Sequence, residues 1–327
     1  MGGRMAEVVK PFTTISKQVD LLRTRGMTLD RDEAERWLTV VGYYRLSGYW
    51  YPYRALHVDV RGDQFVQDAR FADVVRLYEF DRKLRTQIHD GVERIEVALR
   101  SCVSYRIAEQ DPLGYENPRL FRPAFEHSEW LATARRRVDR AKRHSEPVRH
   151  YERKYGGRVP IWVLTEVLDF SDVSKLYDGM LARDQWTVAE RLGVRVDEAR
   201  LTTNQRKKGR KVHPLARWLE HLSVIRNSAA HHGRVWNRSF TPVGTAGLRT
   251  IEALECLPEG QSERVFGALT LMGHLLQGAS PGSSWTAKVR NLVEDTFQVL
   301  PGRSVAEMGF PEGWQATPLW SQGRFER

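Results

Sequence analysis

The sequence contains very little cysteine. Only Cys102 and Cys256 occur among its 327 residues, and neither belongs to a Cys-x-x-Cys pair. A disulfide framework needs several spaced cysteines, and a structural zinc site needs closely spaced Cys or His ligands. Both are therefore excluded as the basis of this fold, and the composition suits a reducing compartment.

Long apolar runs are absent as well. A membrane-spanning helix needs roughly 18–20 consecutive apolar residues, and the best candidate, residues 268–276, is too short. Residues 1–14 contain no apolar segment typical of a signal peptide. We therefore expect no membrane partner and a cytoplasmic location. The sequence also has no P-loop, GxGxxG or GxSxG motif, so ATPase, dehydrogenase and serine-hydrolase functions have no support.

Positive charge is in excess. The chain has 51 Lys and Arg against 41 Asp and Glu, which gives a net charge of +10 and a pI near 9.7. This balance favours an anionic partner, with nucleic acid ahead of a membrane surface. The alternative is that the proteins of the source cell are basic in general, in which case the charge of this chain does not indicate a partner.

Apolar residues recur with helical spacing along almost the whole chain. The strongest pattern covers about residues 72–109, where apolar side chains three, four or seven positions apart define one face of a long helix. We expect a bend at Asp90-Gly91 and an end at Asp111-Pro112. The residues on this face are Leu77, Leu84, Ile88, Val92, Ile95, Leu99 and Cys102.

Shorter elements are predicted before and after this helix. Ile15, Val19 and Leu22 form a stripe that Gly26 would end, and Asp30 would cap the next helix. A small hairpin is predicted around Val58, Val60 and Phe65. A further helix is expected to start at a cap at Ser128, and others cover 161–169, 172–182 and 185–192. The next helix begins near Pro214, and its inward side chains are Leu215, Trp218, Leu219, Leu222 and Ile225. Two last helices are expected near 261–277 and 284–298.

These patterns predict an all-α fold in three parts. Residues 1–70 form an N-terminal helical and aromatic appendage that packs on the core. Residues 71–300 form a helical core, and residues 301–327 form a C-terminal tail. The tail has Phe310, Trp314 and Trp320, so we expect it to pack on the body of the protein.

The most informative segment is residues 225–238, at the end of the helix that starts near Pro214. Asn227 and His231 are four positions apart and share one helix face, and Arg226 lies next to Asn227. Metal-free RNA cleavage needs a base for the 2′-hydroxyl, an acid for the leaving 5′-oxygen and positive charge beside the phosphate. His231 can act as base or acid near neutral pH, and Arg226 can hold the phosphate. Arg226, Asn227 and His231 are therefore the candidate catalytic residues.

The Arg-x4-His spacing alone is weak support. The chain has ten histidines, and Arg122…His127 shows the same spacing, although Pro123 directly follows that arginine. The alternative is a helix end whose histidines only hydrogen-bond to neighbours and whose arginine forms a surface ion pair. One chain offers one strong Arg–His pair, whereas the reaction needs both a base and an acid. A symmetric homodimer that places two such pairs in one cleft would supply both.

Other basic and polar residues are candidates for RNA binding. The segment after the helix supplies donors of the kind that bind phosphate, and Trp236 can stack a base. The basic run of residues 135–143 is either a solvated helix face or an RNA-facing surface. Residues 204–211 are a mobile loop or an arm that holds the RNA backbone. The candidates are His232, Arg234, Asn237, Arg238, Arg136, Arg137, Lys207 and Lys208.

We expect no metal and no cofactor, because the histidines lack Cys or carboxylates at ligand spacing.

In the segment of residues 225–238 the sequence resembles the Abi-like (AbiD/AbiF-type) abortive-infection family of bacterial phage-defence proteins, within the HEPN ribonuclease superfamily. The similarity extends over most of the chain in order. The segments that carry it are Lys10–Phe12, Gly42–Pro52, Phe80–Arg85, Glu93–Arg100, Arg226–Arg238 and Met308–Trp314.

The resemblance implies a HEPN-like helical bundle, with Arg226 and His231 as the catalytic pair and Asn227 as the polar residue after the arginine. It also implies a cognate small RNA as a partner. Phe170-Ser171 departs from the family, where glycine is common. The aromatic segment 42–54 is expected to be core or a scaffold for RNA contacts.

Three functional hypotheses remain open at this point. The first is a metal-independent RNA endonuclease, a toxin of anti-phage abortive infection that leaves 2′,3′-cyclic phosphate and 5′-hydroxyl ends. The second is a non-catalytic protein that holds a structured small RNA, which the two basic runs favour. The third is a HEPN subunit that a partner neutralises.

Overall fold

The computed structural model describes residues 11–57 and 60–321, and at residues 57 and 60 it describes the backbone alone. Lys10 and Val58, both used in the sequence analysis, lie outside the described residues. Fourteen α-helices and two two-stranded antiparallel sheets make up the described part, so the all-α prediction is confirmed. None of the described helices combines the length and apolarity that a membrane crossing needs.

The chain divides into two compact units. The first runs up to Arg82 and includes Val299–Gly302, and the second comprises Lys83–Gln298 and the residues from Arg303 onward. The elements of the first unit are α1 (Ile15–Thr24), α2 (Arg31–Val40), α3 (Tyr43–Trp50), β1 (Arg54–His57), β2 (Val60–Phe65) and the first turns of α4 (Phe71–Ala108).

The ends of the first two helices follow their sequence signals. Gly26 lies just beyond α1 with a φ of 90°, a left-handed conformation that glycine adopts without steric cost. Asp30 Oδ1 accepts a hydrogen bond from the Glu33 amide at 2.8 Å and so caps α2. The predicted hairpin is present as β1 and β2, which pair with a bulge between Arg54 and Leu56.

The aromatic segment 42–54 contributes several buried side chains, among them Leu46, Tyr49, Trp50 and Tyr53, while Tyr44 and Tyr51 are exposed. Trp50 is fully buried, Tyr49 is 2% exposed, and the Tyr49 hydroxyl donates to Asp81 Oδ2 at 2.6 Å. Tyr78 of α4 contacts both Tyr49 and Trp37 edge-on, with ring centroids 5.3 and 5.8 Å apart. The segment therefore forms part of the core, one of the two roles that the sequence left open for it.

The second unit contains the rest of α4 and ten further helices. A π-helical turn, Val293–Phe297, continues the second-last of them, and one short sheet joins β3 (Val243–Gly244) to β4 (Gln261–Ser262). The helices are α5 (His127–Ala141), α6 (Glu146–Tyr155), α7 (Ile161–Val167), α8 (Phe170–Gly179), α9 (Ala182–Arg191), α10 (Thr203–Gly209), α11 (Leu215–Ala230), α12 (Val265–Ala279), α13 (Trp285–Leu292) and α14 (Pro318–Ser321).

Helix α11 is held in place by its apolar face. The residues predicted to point inward are all fully buried, and α11 packs closely against α8. Each large apolar side chain that leaves water contributes about 1.5–3 kcal/mol, so this face fixes the rotation of the helix about its axis. Its opposite edge, which ends in Arg226 and Asn227, consequently faces outward.

The C-terminal tail packs as predicted. Phe310 lies against Phe266 of α12, with ring centroids 4.6 Å apart, and Trp314 contacts both Phe310 and Trp320. The Trp320 indole donates to Thr270 Oγ1 at 3.3 Å. These aromatic contacts close the second unit beside α12.

Two local interpretations are corrected. Residues 204–211 are not a mobile loop, one of the two alternatives for them, because Thr202 and Gln205 form a capping box that starts α10. Ser128 does not cap α5, which begins at His127 after Glu126 without a side-chain cap.

Helix α4 continues through Asp90-Gly91, where a bend was expected. The glycine instead allows close packing. A Cβ atom at Gly91 would lie 2.5 Å from Met272 Cε and 2.9 Å from the Trp285 ring, so α12 and α13 approach the backbone of α4 here.

Candidate functional site

The candidate site begins where α11 ends. His231 donates its amide to the Asn227 carbonyl at 3.0 Å, His232 donates to Ala229 at 3.0 Å, and Gly233 donates to Ser228 at 2.8 Å. This is a Schellman arrangement, which satisfies the last carbonyls of a helix and reverses the chain. Two consecutive histidines are thereby presented at the helix end, and both are exposed.

His232 occupies the left-handed position of this turn. Its φ is 57°, and Asp68 is the other described residue apart from glycine with a positive φ. Glycine is the usual residue here, because a Cβ atom costs about 1–2 kcal/mol in this conformation. The chain thus carries a histidine where backbone energetics favour glycine, a pattern found more often at functional sites.

Buried residues hold the segment that follows. Val235 and Trp236 are fully buried, Arg264 Nη1 donates to the Asn237 carbonyl at 2.7 Å, and Arg238 Nη1 donates to Ser228 Oγ at 3.0 Å. The interpretation of Trp236 as a base-stacking residue is wrong, because its ring lies in the core against Phe297. Trp236 acts as an anchor that fixes the loop.

Two arginines of this segment, Arg226 and Arg238, lack acidic partners among the described residues. Arg226 is half-buried and donates to Asn227 Oδ1 at 3.2 Å, and the guanidinium of exposed Arg238 lies 5.3 Å from the centre of the Phe240 ring. Neither arginine has a carboxylate within 4.0 Å among the described residues, and residues 221–238 contain no Asp or Glu. Positive charge therefore accumulates at the end of α11, where an anion would be attracted.

The second Arg-x4-His pair is in a different situation. Arg122 forms an ion pair with Asp178 and also donates to the Asp178 carbonyl. His127 Nε2 donates to the Tyr115 carbonyl at 2.8 Å. Both members are engaged within the fold, so the structure separates two pairs that spacing alone could not.

The other predicted RNA-binding residues have mixed surroundings. Arg136 on α5 and Lys207 and Lys208 on α10 are exposed. Arg137 is half-buried and bound by Asp169 and Asp172, so its charge is already compensated. Residues 136–137 and 207–208 thus lie on other helices than the cluster at the end of α11.

Within that cluster the remaining candidates are partly enclosed. Arg234 and Asn237 are both half-buried, and the Asn237 Oδ1 atom is buried. The residues that the structure brings together at this helix end are Arg226, Asn227, His231, His232, Arg234 and Arg238.

Three other histidines are structural. His213 is fully buried, and burial lowers its pKa to about 4, while its Nδ1 accepts from the Leu215 amide at 3.1 Å at the start of α11. Burial also lowers the pKa of His221 and His274. Within residues 11–57 and 60–321, no three His, Cys, Asp or Glu side chains are grouped as a metal site requires.

Sequence reasoning missed the residues that shape the site. Ser228 binds the loop through both its carbonyl and its hydroxyl, and Arg85 Nη1 of α4 lies 3.5 Å from the Gly233 carbonyl oxygen. Arg85 belongs to the segment 80–85 that carried part of the family resemblance, and that resemblance is the signal that could have identified it. Ser228 has no comparable signal, because its role depends on a loop fold.

Comparison with known families supports the resemblance. The sequence matches the family described as Abi-like protein over residues 36–237, which is more than half of the chain. The chain belongs to the Abi-like protein family. The matched region includes Arg226, Asn227 and His231, and membership indicates a role in abortive infection, a bacterial phage defence. Neither the curated proteins nor the solved structures provided a match.

Proposed function

We propose that this Abi-like protein is a metal-independent RNA endonuclease that acts as a toxin in abortive infection. The observation that carries the proposal is the end of α11. There Arg226 has no ion-pair partner among the described residues and His231 is exposed, whereas Arg122 and His127 are bound internally. The HEPN-like character of the bundle belongs to the same proposal.

The proposed reaction is an internal transfer at phosphorus. A base removes the proton of the ribose 2′-hydroxyl, the 2′-oxygen forms a bond to phosphorus, and the bond from phosphorus to the 5′-oxygen breaks. An acid protonates the leaving 5′-oxygen, which gives a 2′,3′-cyclic phosphate and a 5′-hydroxyl. His231 supplies one of the two proton-transfer groups, and Arg226 stabilises the charge on the phosphoryl oxygens.

Asn227 positions Arg226 in this scheme. Its Oδ1 accepts from Arg226 Nη1, which restricts an otherwise flexible side chain at the helix edge. A second copy of the chain would place another His231 beside the phosphate and so provide the second proton-transfer group. Homodimerisation is accordingly part of the proposal, with the helix end facing its symmetry mate.

The test is cleavage of an end-labelled single-stranded RNA in excess EDTA. We expect cleavage to persist in EDTA and the fragments to carry a cyclic phosphate, seen as a mobility shift after treatment with acid and phosphatase. A 2′-deoxynucleotide at the cleavage site lacks the 2′-hydroxyl nucleophile and should abolish cleavage at that site. Fragments with a 3′-hydroxyl, or cleavage of the 2′-deoxy substrate, would rule out this mechanism.

The non-catalytic alternative has support from the exposed basic residues of α5 and α10. Arg136, Lys207 and Lys208 point charge into solvent on two helices outside the candidate site. A protein that only holds a structured RNA would lose affinity when these residues become alanine, and it would show no cleavage with any RNA. Sequencing of nucleic acid that co-purifies with the protein identifies such a cognate RNA.

A further inference from the structure

A polar groove lies between α8 and α11. It has a volume of about 430 Å³, which is at the lower end of the range of about 300–1,000 Å³ that small-ligand sites occupy. Its floor and walls come mainly from small and polar residues, among them Ser171, Ser174 and Lys175 of α8 and Ala216, Ser223 and Asn227 of α11.

Two serines in this groove have unused hydroxyls. Ser174 is 3% exposed and Ser223 is 6% exposed, and both line the groove. Neither hydroxyl has a hydrogen-bond partner among residues 11–57 and 60–321, and neither oxygen is among the buried unpaired atoms there, so both oxygens remain accessible from the groove. A hydroxyl that is open to a groove can donate to or accept from a ligand without giving up a contact in the protein. Two accessible hydroxyls on facing helices can therefore bind one polar ligand between them.

The groove also contains an uncompensated cation. Lys175 is exposed and has no carboxylate within 4.0 Å among the described residues. The two acidic residues of the groove are occupied elsewhere, since Asp178 pairs with Arg122 and Glu220 pairs with Arg217. The lining has two cations, Lys175 and Arg217, and two carboxylates, and among the described residues Lys175 is the one of these four without an ion pair. A ligand that enters this groove therefore meets one unpaired ammonium group and hydroxyl groups.

The groove ends at the candidate catalytic site. Asn227 lines the groove and accepts the hydrogen bond from Arg226, so one residue belongs to both. Along α11 the groove-lining residues Ala216, Ser223 and Asn227 follow helical spacing on one face, which leads toward the exposed His231.

We propose that this groove binds one nucleotide of the RNA strand next to the cleaved phosphate. Ser174 and Ser223 hydrogen-bond to its sugar and base, and Lys175 contacts its phosphate. The proposal rests on the endonuclease function and adds a positioning subsite to it. Hydroxyl groups, a single unpaired cation and room for one small ligand match a nucleotide better than an acidic peptide, which would need several cations and no hydroxyl partners.

The test is RNA binding by the full-length chain with a His231→Ala background to prevent turnover. The probe is a fluorescein-labelled single-stranded RNA of about 12 nucleotides, within the span of about 4–16 nucleotides that single-strand binding folds cover. Fluorescence anisotropy compares Ser174→Ala/Ser223→Ala and Lys175→Gln with the background. Ser262→Ala is the control, because Ser262 is a buried serine without a hydrogen-bond partner for its hydroxyl among the described residues, and it lies on β4 outside the groove.

We expect the double serine variant to bind about tenfold more weakly, the loss that two neutral hydrogen bonds predict. Its thermal unfolding should not fall, because the removed hydroxyls have no partners in the protein. Lys175→Gln should lower the slope of log K against log salt by about one. The Ser262→Ala control should bind as the background does.

Three results would overturn the proposal. The first is unchanged affinity in the double serine variant, and the second is absence of RNA binding by the background protein. The third is equal displacement of the RNA by an oligoglutamate of the same length, which would show selection for charge alone. A cleavage assay on wild type and His231→Ala separates the two proposals: full activity of the His231→Ala chain contradicts the endonuclease, whereas unchanged binding in the double serine variant contradicts only the groove.

Discussion

Arg238 Nη1 donates a hydrogen bond to Ser228 Oγ at 3.0 Å, and this contact joins the loop after α11 to the last turn of the helix. The same serine accepts the Gly233 amide through its carbonyl. Ser228 therefore holds the loop at two points, and Arg238 combines a structural contact with a charge that no carboxylate compensates among the described residues. The two roles can be separated by mutation.

Arg238→Ala and Ser228→Ala should affect RNA binding differently. Arg238→Ala removes a cation, so the salt dependence of binding should fall by about one in slope. Ser228→Ala removes the hydroxyl contact to Arg238 but keeps the carbonyl contact and the charge of Arg238, so the slope should stay unchanged. Anisotropy titrations at several salt concentrations measure both. Equal slopes for the two variants would show that Arg238 does not contact phosphate.

The left-handed conformation of His232 predicts an order of stability among variants that all lack the imidazole. Asparagine tolerates a positive φ, whereas a β-branched residue does not. His232→Asn should therefore be more stable than His232→Val by about 1 kcal/mol. Urea unfolding gives the difference directly. If the two variants have equal stability, the turn does not require a positive φ at residue 232.

The hydrogen bond from Tyr49 to Asp81 explains part of the aromatic segment. Tyr49→Phe removes a buried donor to a carboxylate and should lower the free energy of unfolding by about 1.5–3 kcal/mol. Tyr44→Phe is the control, since Tyr44 is 93% exposed. Chemical denaturation should show a loss in the first variant only; a loss of similar size in both would argue against this contact.

Gly91 should not tolerate a side chain. Alanine there would place its Cβ atom against Met272 and the Trp285 ring, and overpacking of this kind costs about 1–3 kcal/mol. Gly244→Ala is the matched control, because no atom lies within 4 Å of its Cβ position. Thermal unfolding should show a lower midpoint for Gly91→Ala than for Gly244→Ala.

The buried His213 predicts a loss of stability in mild acid. Its pKa is about 4 in the folded chain against an ordinary value near 6.5, so the unfolded chain takes up a proton first as the pH falls. The contribution is fully present above about pH 6.5 and is lost progressively down to about pH 4, by about 3 kcal/mol in total. Below that range it changes no further.

His213→Asn tests this directly. Asparagine keeps an acceptor for the Leu215 amide but does not titrate, so its free energy of unfolding should fall less between pH 7 and pH 4 than that of the wild type. His221 and His274 leave some pH dependence in the variant, since burial lowers their pKa values as well. Identical pH profiles would show that His213 is not buried in neutral form.

Much of the fold followed from apolar spacing. Leu215, Leu219, Leu222 and Ile225 predicted both α11 and its buried face, because a helix of this length is stabilised by one continuous apolar stripe. The tail behaved in the same way, since large aromatic residues such as Trp314 are rarely left in water. Helix α10 escaped prediction because its start depends on the Thr202–Gln205 capping box and it has almost no apolar face.

The candidate site was only partly predictable. The identities of Arg226, Asn227 and His231 came from spacing and resemblance, but spacing could not distinguish them from Arg122 and His127. That distinction needed the partners that each side chain meets in the fold. Trp236 was misassigned because an indole serves equally well as a core residue or a stacking surface, and burial alone decides. The groove at Ser174 and Ser223 required two helices that lie far apart in sequence to be placed side by side.

The most direct test of the central claim is the single-turnover rate of RNA cleavage in EDTA. Wild type, Arg226→Ala and His231→Ala are compared with Arg23→Ala and His144→Ala, which change exposed residues of the same types elsewhere. We predict that both site variants lose at least about a hundredfold in rate, the usual contribution of a proton-transfer or charge-stabilising group, while both controls cleave like wild type. Equal rates for His231→Ala and wild type would contradict the account.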